Sequence, residues 1–469
     1  MSDPTKTPSL GARWRAVTGP LLVARVFGQV AEFGGWVVLA RRLGATSFGR
    51  LAVAFLVCRY AGLLADWGAS LRGVIDVAAD RGGASIRALV RRRTSVTVAL
   101  VAAYVAGAAV SGNARLAPMA VVIACLGLSR DWLSLGQERG LRSAMPVAVQ
   151  GASILAAALV LPLTHHPALP VAIGYGAAAV LSIALNRLPD GPRGRVVGLD
   201  AWMLLAIMST QVMSTLDTIL LAALRSSHEA GIYAAIYRLP NAWVALLIIV
   251  MYGLLPVVTR SLRHDPDSIG ALRRSLLRWS VPAGLALLAV APVAYVLVPR
   301  VFGSSYTDGR VAAVLLIVAT AIQTAAVPLH SLYLARGTDR GYAGFITVAA
   351  VANVVANLAL IPLFGMEGAA VATIVGNGLL AVLLWRAVGR FIRQGSPSAP
   401  GTPSQARDRS RRRPIRIQAE RRMSRTAEAT TFTSSSSSRR ADGRLSPRAL
   451  RSYPIGFVDW HRSMPGTPA

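Results

Sequence analysis

The stretch LARRLGATSFGRLAVAFLVCRYAGLLADWGASL, Leu39 to Leu71, decides the fold. Its part from Arg41 to Arg50 is a short polar link that breaks on glycine, and from Leu51 onward the chain is an apolar helix long enough to cross a bilayer. That helix carries Arg59 and Asp66, which lie two helical turns apart on one face. Because a charge at bilayer depth costs at least about 2.5–3.5 kcal/mol, it is tolerated where it faces a bundle interior or a water-filled cavity. The stretch therefore predicts a polytopic membrane protein with a polar interior.

The composition agrees with a membrane bundle. Of 469 residues, 54% are hydrophobic and 15% are charged, whereas soluble domains carry about 25% charged residues. The net charge of +29 divides between a C-terminal tail and the links between apolar runs, where basic residues orient a membrane protein. No basic-aromatic motif accompanies this charge, so nucleic acid is not a predicted partner.

Several classes of chemistry are excluded by residues that the chain lacks. Lys6 is the only lysine, and a P-loop needs a lysine on the phosphates, so the chain supplies no Walker-type ATPase. Cys58 and Cys125 lie in separate apolar segments and are interpreted as packing residues. His165 and His166 have no carboxylate or cysteine nearby in sequence, and no Ser-His-Asp, CxxC or GxSxG arrangement occurs. We predict a transporter without catalytic residues, metal or cofactor.

Apolar runs of spanning length number twelve, six in each half. They lie near residues 17–40, 50–71, 94–112, 115–135, 145–164, 168–187, 200–224, 230–258, 279–299, 310–334, 341–363 and 367–389. With the N-terminus inside, 21 basic residues lie in the links on its side and 7 lie opposite. This bias predicts that both termini are cytoplasmic.

The runs divide the chain into four parts. Residues 1–16 form a cytoplasmic N-terminal segment, 17–190 and 200–390 form two six-helix lobes, and 391–469 form a tail. The tail is rich in serine, arginine and proline and is predicted to be disordered and cytoplasmic, because it cannot bury enough apolar surface to fold alone. The links at 43–55 and 225–237 echo each other at an offset of 182 residues, which indicates that the lobes are parallel repeats.

Three arginines lie well inside their spans: Arg25, Arg59 and Arg238. A guanidinium is always charged and binds phosphate oxygens through two parallel hydrogen bonds, so three of them from both halves would suit an anionic group in a central cavity. The natural counter-ions, or sites for a coupling cation, are Glu32, Asp66 and Asp217. The alternative interpretation is that these charges form interhelical ion pairs or reach the membrane surface.

Two further features accompany these charges. Pro240 removes a backbone hydrogen bond beside Arg238 and is either a gating bend or a tolerated kink. Asn353, Asn357 and Asn377 are interpreted as amides that bind neighbouring helices together.

Short motifs in both halves resemble the polysaccharide flippase family of the Wzx type, within the superfamily of MATE-like exporters. In the first half they are Arg41-Arg42-Leu43-Gly44, Phe48-Gly49 and Leu64-Ala65-Asp66-Trp67-Gly68. In the second half they are Leu216–Leu221, Ala230–Ala235, Leu254–Pro256 and Asn357–Thr373. The resemblance covers residues 17 to about 390; the tail has no counterpart in it.

The resemblance implies an all-α membrane fold of about twelve transmembrane helices, in two six-helix lobes around a central cavity. It implies a bacterial plasma-membrane flippase that moves an undecaprenyl-pyrophosphate-linked oligosaccharide to the outer leaflet by alternating access. Polysaccharide polymerase and assembly proteins would be its partners. Arg25, Arg59 and Arg238 lie on the same spans as cavity arginines of the related lipid II flippases. Those flippases usually have fourteen spans, so twelve favours the polysaccharide branch.

Three other functions compete with this one. A cation-coupled exporter of drugs or metabolites with the same fold would be dominated by a cation-binding carboxylate and would have fewer cavity arginines. An intramembrane polyprenyl-sugar polymerase or ligase would need large outside loops, which the spacing of the spans does not provide. A scaffold acting through its basic tail would work without the arginines in the spans. The sugar, the driving ion and the oligomeric state are left open.

Overall fold

The computed structural model describes residues 10–78, 83–137, 139–188, 201–244, 268–335 and 339–394, with 247, 258 and 262. Throughout these ranges the chain is helical and forms no strand. The predicted segment 1–16 is described only from Leu10, and the predicted tail 391–469 lies outside the described residues beyond Gln394.

The first lobe is built from seven helices. They are α1 (Leu10–Asp66), α2 (Ala69–Ala78), α3 (Gly83–Val110), α4 (Ala120–Leu128), α5 (Asp131–Gly136), α6 (Gly140–Val160) and α7 (Leu169–Leu185), with a 3-10 helix at Ala114–Met119 before α4. In this lobe α1 packs along α6, and α7 packs against α6 and α4.

The second lobe begins with α8 (Ala201–Leu224) and α9 (Ser227–Ile236), after which Tyr237 forms a turn and residues 238–244 are helical again. It continues with α10 (Ile269–Leu288), α11 (Ala291–Phe302), a 3-10 helix at Ser304–Gly309, α12 (Arg310–Leu334) and α13 (Asp339–Gln394). Here α13 packs against both α12 and α8.

The longest helices, α1 and α13, are each two spans joined at one glycine. They contain 57 and 56 residues, more than twice the roughly 20 residues that cross a bilayer. Each is broken at one residue, Gly44 with φ 71° and Gly365 with φ 56°, conformations that glycine adopts without steric cost. The link Arg41–Arg50 is therefore helical on both sides of Gly44, a correction to the predicted polar link, because one left-handed residue is enough to redirect the chain.

The predicted fold class is confirmed. Seven helical segments are long and apolar enough to cross a membrane, and the pair α10–α11, bent by 52°, is an eighth. With both arms of α1 and α13 and the shorter α7 counted, these segments account for every predicted span except 230–258. That span is described from α9 to residue 244, and beyond it only at 247 and 258.

The lobes touch where the two copies of the repeated link meet, a contact that we call the junction. A Cβ added to Gly49 would overlap the carbonyl oxygen of Ser227, and one added to Gly231 would overlap that of Ala45. Gly231 is Gly49 advanced by 182 residues, and Ser227 is Ala45 advanced by the same number. Such reciprocal contacts are what a two-fold relation between repeats requires, so the offset seen in the sequence appears in the packing.

Polar caps surround the junction. Arg42 Nη1 donates to the carbonyl oxygens of Ala158 (2.6 Å) and Leu159 (3.0 Å), at the end of α6. In the second lobe Arg225 Nη1 donates to the carbonyl oxygen of Pro362 (3.3 Å), just before the break at Gly365. Carbonyls at a helix end or break have no partner within the helix. One arginine in each lobe therefore supplies a donor to such carbonyls.

Candidate functional site

A cavity of about 610 Å³ lies between the lobes, on one side of the junction. Trp36, Ala52, Phe55 and Ala234 line it near the junction, and from there it runs about 16 Å along α1 to Leu63, at 1.5 Å per residue. Its walls come from α1, α4, α6, α7, α8, α12, α13 and residues 234–247. Both lobes therefore enclose the same space.

All three predicted arginines line this cavity. Arg25 and Arg59 come from the two arms of α1, and Arg238 follows the turn at Tyr237, one helical turn before Asn241. Residues from both halves of the chain therefore lie around one cavity, and their role in binding a substrate stays a prediction. Pro240 lies in the same segment, and the helix is interrupted on its N-terminal side at Tyr237.

The three guanidinium groups are held by different contacts. Arg238 Cζ lies 3.8 Å from the Trp36 ring centroid and 5.5 Å from that of Phe55, a stack of a cation on aromatic rings. Arg59 is exposed to the cavity and donates from Nε to Gln211 Oε1 at 3.3 Å. The Nε of Arg25 is buried without a hydrogen bond. Most of their donors therefore remain free to bind a ligand.

Glu32 is the acidic residue of the cavity, and no other Asp or Glu occurs among its described lining residues. Its carboxylate accepts from Trp36 Nε1 at 3.2 Å and from Gln150 Nε2 at 3.3 Å. With histidine neutral, three arginines and one carboxylate give this lining a net charge of +2. The cavity therefore favours an anion.

Neutral polar groups complete the walls. The amides and aliphatic hydroxyls among the described lining residues are Gln29, Gln150, Thr210, Gln211, Ser214, Thr215, Thr218, Asn241, Gln323 and Asn377. Gln211 Nε2 donates to Thr215 Oγ1 at 2.8 Å, and Tyr60 of α1 donates to the Gln211 carbonyl at 3.1 Å, which ties the two lobes together beside Arg59. Amides and hydroxyls are donors and acceptors suited to a hydroxyl-rich ligand.

Asp66 does not line the cavity. Its carboxylate accepts from Arg93 Nη2 at 2.7 Å and from Ser70 Oγ at 2.6 Å. Asp66 therefore joins the first turn of α2 to α3. The predicted third span begins near residue 94, which leaves Arg93 in the link before it, whereas Arg93 lies within α3 and is 3% exposed. It also donates to the Leu126 carbonyl at 2.9 Å, near the end of α4. A run of three arginines carries no signal of which one points inward.

Asp217 also lies outside the cavity lining, and it is 1% exposed. Its carboxylate accepts from Tyr233 Oη at 2.6 Å, from the Thr218 backbone N–H at 2.8 Å and from Thr373 Oγ1 at 3.4 Å. No arginine of the described residues contacts it. Asp217 thus joins α8, α9 and α13 behind the cavity wall.

Of the three asparagines predicted to bind helices together, Asn353 and Asn377 make such bonds, and the described bonds of Asn357 stay within its own helix. Asn353 Nδ2 donates to the Ala372 carbonyl at 3.0 Å, between the two arms of α13, and Asn377 Nδ2 donates to the Ala319 carbonyl of α12 at 3.2 Å. Asn357 Nδ2 donates to the Asn353 carbonyl at 3.0 Å. Among the described residues no group of three or more His, Cys, Asp or Glu side chains is placed to hold a metal ion.

Comparisons with known proteins agree with this architecture. The chain is 31% identical over 195 residues to the probable flippase AglR of Haloferax volcanii, a match that covers 39% of this chain and 40% of that relative. The chain thus spans less than half the length of the curated relative it matches. No family model matches the chain.

Solved structures extend the likeness to most of the chain. The lipid II flippase MurJ in an inward closed conformation superposes with a TM-score of 0.58 at 11% identity, over 80% of this chain and 87% of MurJ. An inward-facing MATE multidrug resistance transporter of the MOP superfamily gives 0.53 at 13% identity, over 82% and 94% of the two chains. An outward-facing one gives 0.51 at 14%, over 84% and 100%. The MATE-like fold is confirmed by these structures, and the predicted resemblance to a flippase agrees with the sequence likeness to AglR over 195 residues.

Proposed function

We propose that this multi-pass membrane protein is a flippase. It moves an undecaprenyl-pyrophosphate-linked oligosaccharide from the cytoplasmic to the outer leaflet by alternating access, as a transporter and not as an enzyme. The observation that carries the proposal is the cavity between the lobes, lined by Arg25, Arg59 and Arg238 against a single described carboxylate. The sequence likeness to a probable flippase supports it.

The charge of the cavity matches the charged part of this substrate. A pyrophosphate diester is a dianion, and the described lining carries a net charge of +2. Guanidinium groups bind phosphate oxygens through paired, charge-assisted hydrogen bonds. Arg59, which is exposed to the cavity, and Arg25, whose Nε has no hydrogen bond, offer free donors. The same positive lining opposes an organic cation, the substrate expected of a drug exporter with this fold.

The remaining walls suit the sugar. A sugar is too polar for the bilayer interior, and here the amides and hydroxyls of the lining replace water as donors and acceptors. Trp36 and Tyr175 add apolar ring surface on the first lobe. The polyprenyl chain would remain in lipid while the head of the molecule occupies the cavity.

The carboxylates take separate roles in this proposal. Glu32 is the resting counter-ion of the cavity arginines, since it lies among them. Asp66 is the counter-ion of Arg93. Asp217, buried with hydroxyl and amide donors and without an arginine, is the candidate for binding a coupling cation.

The orientation follows from the basic links. With the N-terminus in the cytoplasm, the junction lies toward the outer face and the cavity extends from it toward the cytoplasm. The described conformation would then be the one that receives substrate from the cytoplasmic leaflet.

The proposal is tested by mass spectrometry of polyprenyl lipids from cells depleted of this protein. One pyrophosphate-linked oligosaccharide should accumulate and identify the cargo, and the wild-type chain should clear it. Arg59→Ala and Arg238→Ala should fail to clear it at normal membrane level, while Arg300→Ala should clear it, because Arg300 is exposed and outside the cavity. Clearance by both cavity variants, or an unchanged lipid profile in depleted cells that contain no second flippase, would overturn the proposal.

A further inference from the structure

A second cavity, of about 430 Å³, lies on the flank of the bundle beside the junction. We call it the flank groove. One wall is the second arm of α1, with Arg50, Val53 and Val57, and the facing wall is α3 around Gly107. Ala222 and Ser227 of the second lobe close its end. The groove therefore touches both lobes next to their contact.

One end of the flank groove is polar and positively charged. Arg50 is exposed there with Ser111 and Asn113. Among the described residues, no side chain forms a hydrogen bond or ion pair with the Arg50 guanidinium, whereas Arg42 of the same link donates to two carbonyls. None of the described residues that line the groove is acidic. A free guanidinium without a counter-ion is suited to an anion.

The other end is apolar. Val53 and Val57 lie one and two helical turns beyond Arg50, so the apolar wall extends about 10 Å toward the middle of the span. A Cβ built on Gly107 meets nothing within 4 Å, which shows open space over the facing wall. Charge at the bilayer surface followed by an apolar trough at bilayer depth matches the two parts of a lipid.

We propose that the flank groove binds one anionic phospholipid of the leaflet at the junction. Its phosphate contacts Arg50, with Ser111 and Asn113 as further donors, and one acyl chain lies along Val53 and Val57. A soluble anion would not use the apolar wall, and a zwitterionic lipid would leave the charge of Arg50 uncompensated. Charge complementarity therefore selects an anionic headgroup.

This site has a consequence for the lobes. The lipid contacts α1 and α3 of the first lobe and Ser227 of the second, and Ser227 is itself part of the junction. A bound headgroup thus favours the conformation in which the junction is closed. The inference concerns lipid binding and stands or falls separately from the transported substrate.

Native mass spectrometry of the full chain, delipidated in detergent and titrated with phosphatidylglycerol or phosphatidylcholine, tests the site. We expect Arg50→Gln to weaken the tightest phosphatidylglycerol adduct about fivefold, the value of roughly one basic residue at a membrane surface, and to leave phosphatidylcholine unchanged. Gly107→Trp should fill the groove and remove that adduct. Arg300→Gln and Gly344→Trp are matched controls, because Arg300 is exposed elsewhere and a Cβ on Gly344 also meets nothing within 4 Å.

The outcomes separate the proposal from its alternatives. Loss of phosphatidylglycerol in both groove variants, with melting temperatures equal to those of the controls, supports the site. Equal phosphatidylglycerol binding by wild type, Arg50→Gln and Gly107→Trp would overturn it. So would equal affinity of the wild-type chain for the two lipids, which would show a groove without headgroup selection.

Discussion

The junction and the cavity are two regions built by the same pair of lobes, and they use opposite chemistry. At the junction Gly49 and Gly231 bring backbone against backbone, and neither position has room for a Cβ. A few turns away the lobes diverge around Arg59 and Arg238, in a space of about 610 Å³. Small residues allow close contact of helices in a membrane, and charges are tolerated where water enters. The backbone contacts between the two repeats therefore lie at the junction, and the charged cavity lies on one side of it.

Charged residues divide in the same way. Arg93 is buried against the Asp66 carboxylate and the carbonyls of Leu126 and Ser129, which are fixed parts of the protein. Arg59 lies on the cavity surface with one bond to Gln211. We therefore expect arginines away from the cavity to determine stability and those in it to determine transport.

The largest effect should come from Arg93→Ala, which sharpens this division. It removes the counter-ion of the Asp66 carboxylate and one donor to each of the carbonyls of Leu126 and Ser129. Breaking a buried ion pair costs about 3–5 kcal/mol of unfolding free energy. Denaturant unfolding of the purified protein in detergent measures the loss. Arg92→Ala is the control, because Arg92 is the exposed neighbour on the same helix. Equal stability of the two variants would contradict the structural role of Arg93.

The next effect should come from Gly49→Ala, which breaks the junction itself. The added methyl group must push α9 away from α1, and overpacking of this kind costs about 1–3 kcal/mol. Gly231→Ala should cost a similar amount, since its contacts are the reciprocal ones. Melting temperature reports both, with Gly344→Ala as a glycine whose Cβ has free space. If Gly49→Ala and Gly231→Ala lowered the melting temperature no more than Gly344→Ala does, the lobes would not be in close contact at the junction.

A smaller effect is expected in the cavity from the ring beneath Arg238. Trp36→Leu removes the cation–π contact, which is worth about 0.5–2 kcal/mol, whereas Trp36→Phe keeps an aromatic ring and loses only the bond to Glu32. Clearance of the lipid-linked oligosaccharide in complemented cells should fall several-fold more for the leucine variant. Membrane level and melting temperature are measured for both variants to separate folding from transport. Equal clearance would exclude the ring as the support of Arg238.

The smallest effect is expected at the exposed rim of the junction. Thr46 Oγ1 and His228 Nδ1 lie 3.3 Å apart, and both residues are exposed. Thr46→Val removes this bond, and exposed substitutions of this kind change stability by less than about 0.5 kcal/mol. The melting temperature should therefore stay near that of the wild type. A loss as large as that of Gly49→Ala would place the strength of the junction in its polar rim instead of its glycines.

Much of the architecture was accessible from the sequence, because hydropathy over twenty residues reports spans and arginines deep in a span report a polar interior. Eleven of the twelve predicted spans and the repeat offset follow from these signals, and Arg25, Arg59 and Arg238 line one cavity. Hydropathy does not report the rotation of each helix about its axis, which packing determines. That is why hydropathy leaves Arg93 just outside the predicted third span although it is buried, and why it does not predict that Asp66 and Asp217 lie outside the cavity lining.

The breaks within the helices could not be predicted from the sequence either. The predicted span 279–299 begins ten residues earlier, at Ile269, and bends by 52° between α10 and α11. The predicted polar link is one helix with a single left-handed glycine at Gly44. Both outcomes depend on how neighbouring helices direct the chain, whereas composition identifies only where a break is permitted.

Thr46 and His228 are suitable labelling positions for measuring the distance across the junction. Both native cysteines, Cys58 and Cys125, are buried and unpaired, so a Thr46→Cys, His228→Cys protein would present its two accessible thiols on opposite lobes. Spin labels there would begin at short separation in the described conformation and move apart whenever the repeats separate. The same positions, oxidised to a crosslink, would trap the chain in one state, so a single double variant both reports the transport cycle and stops it.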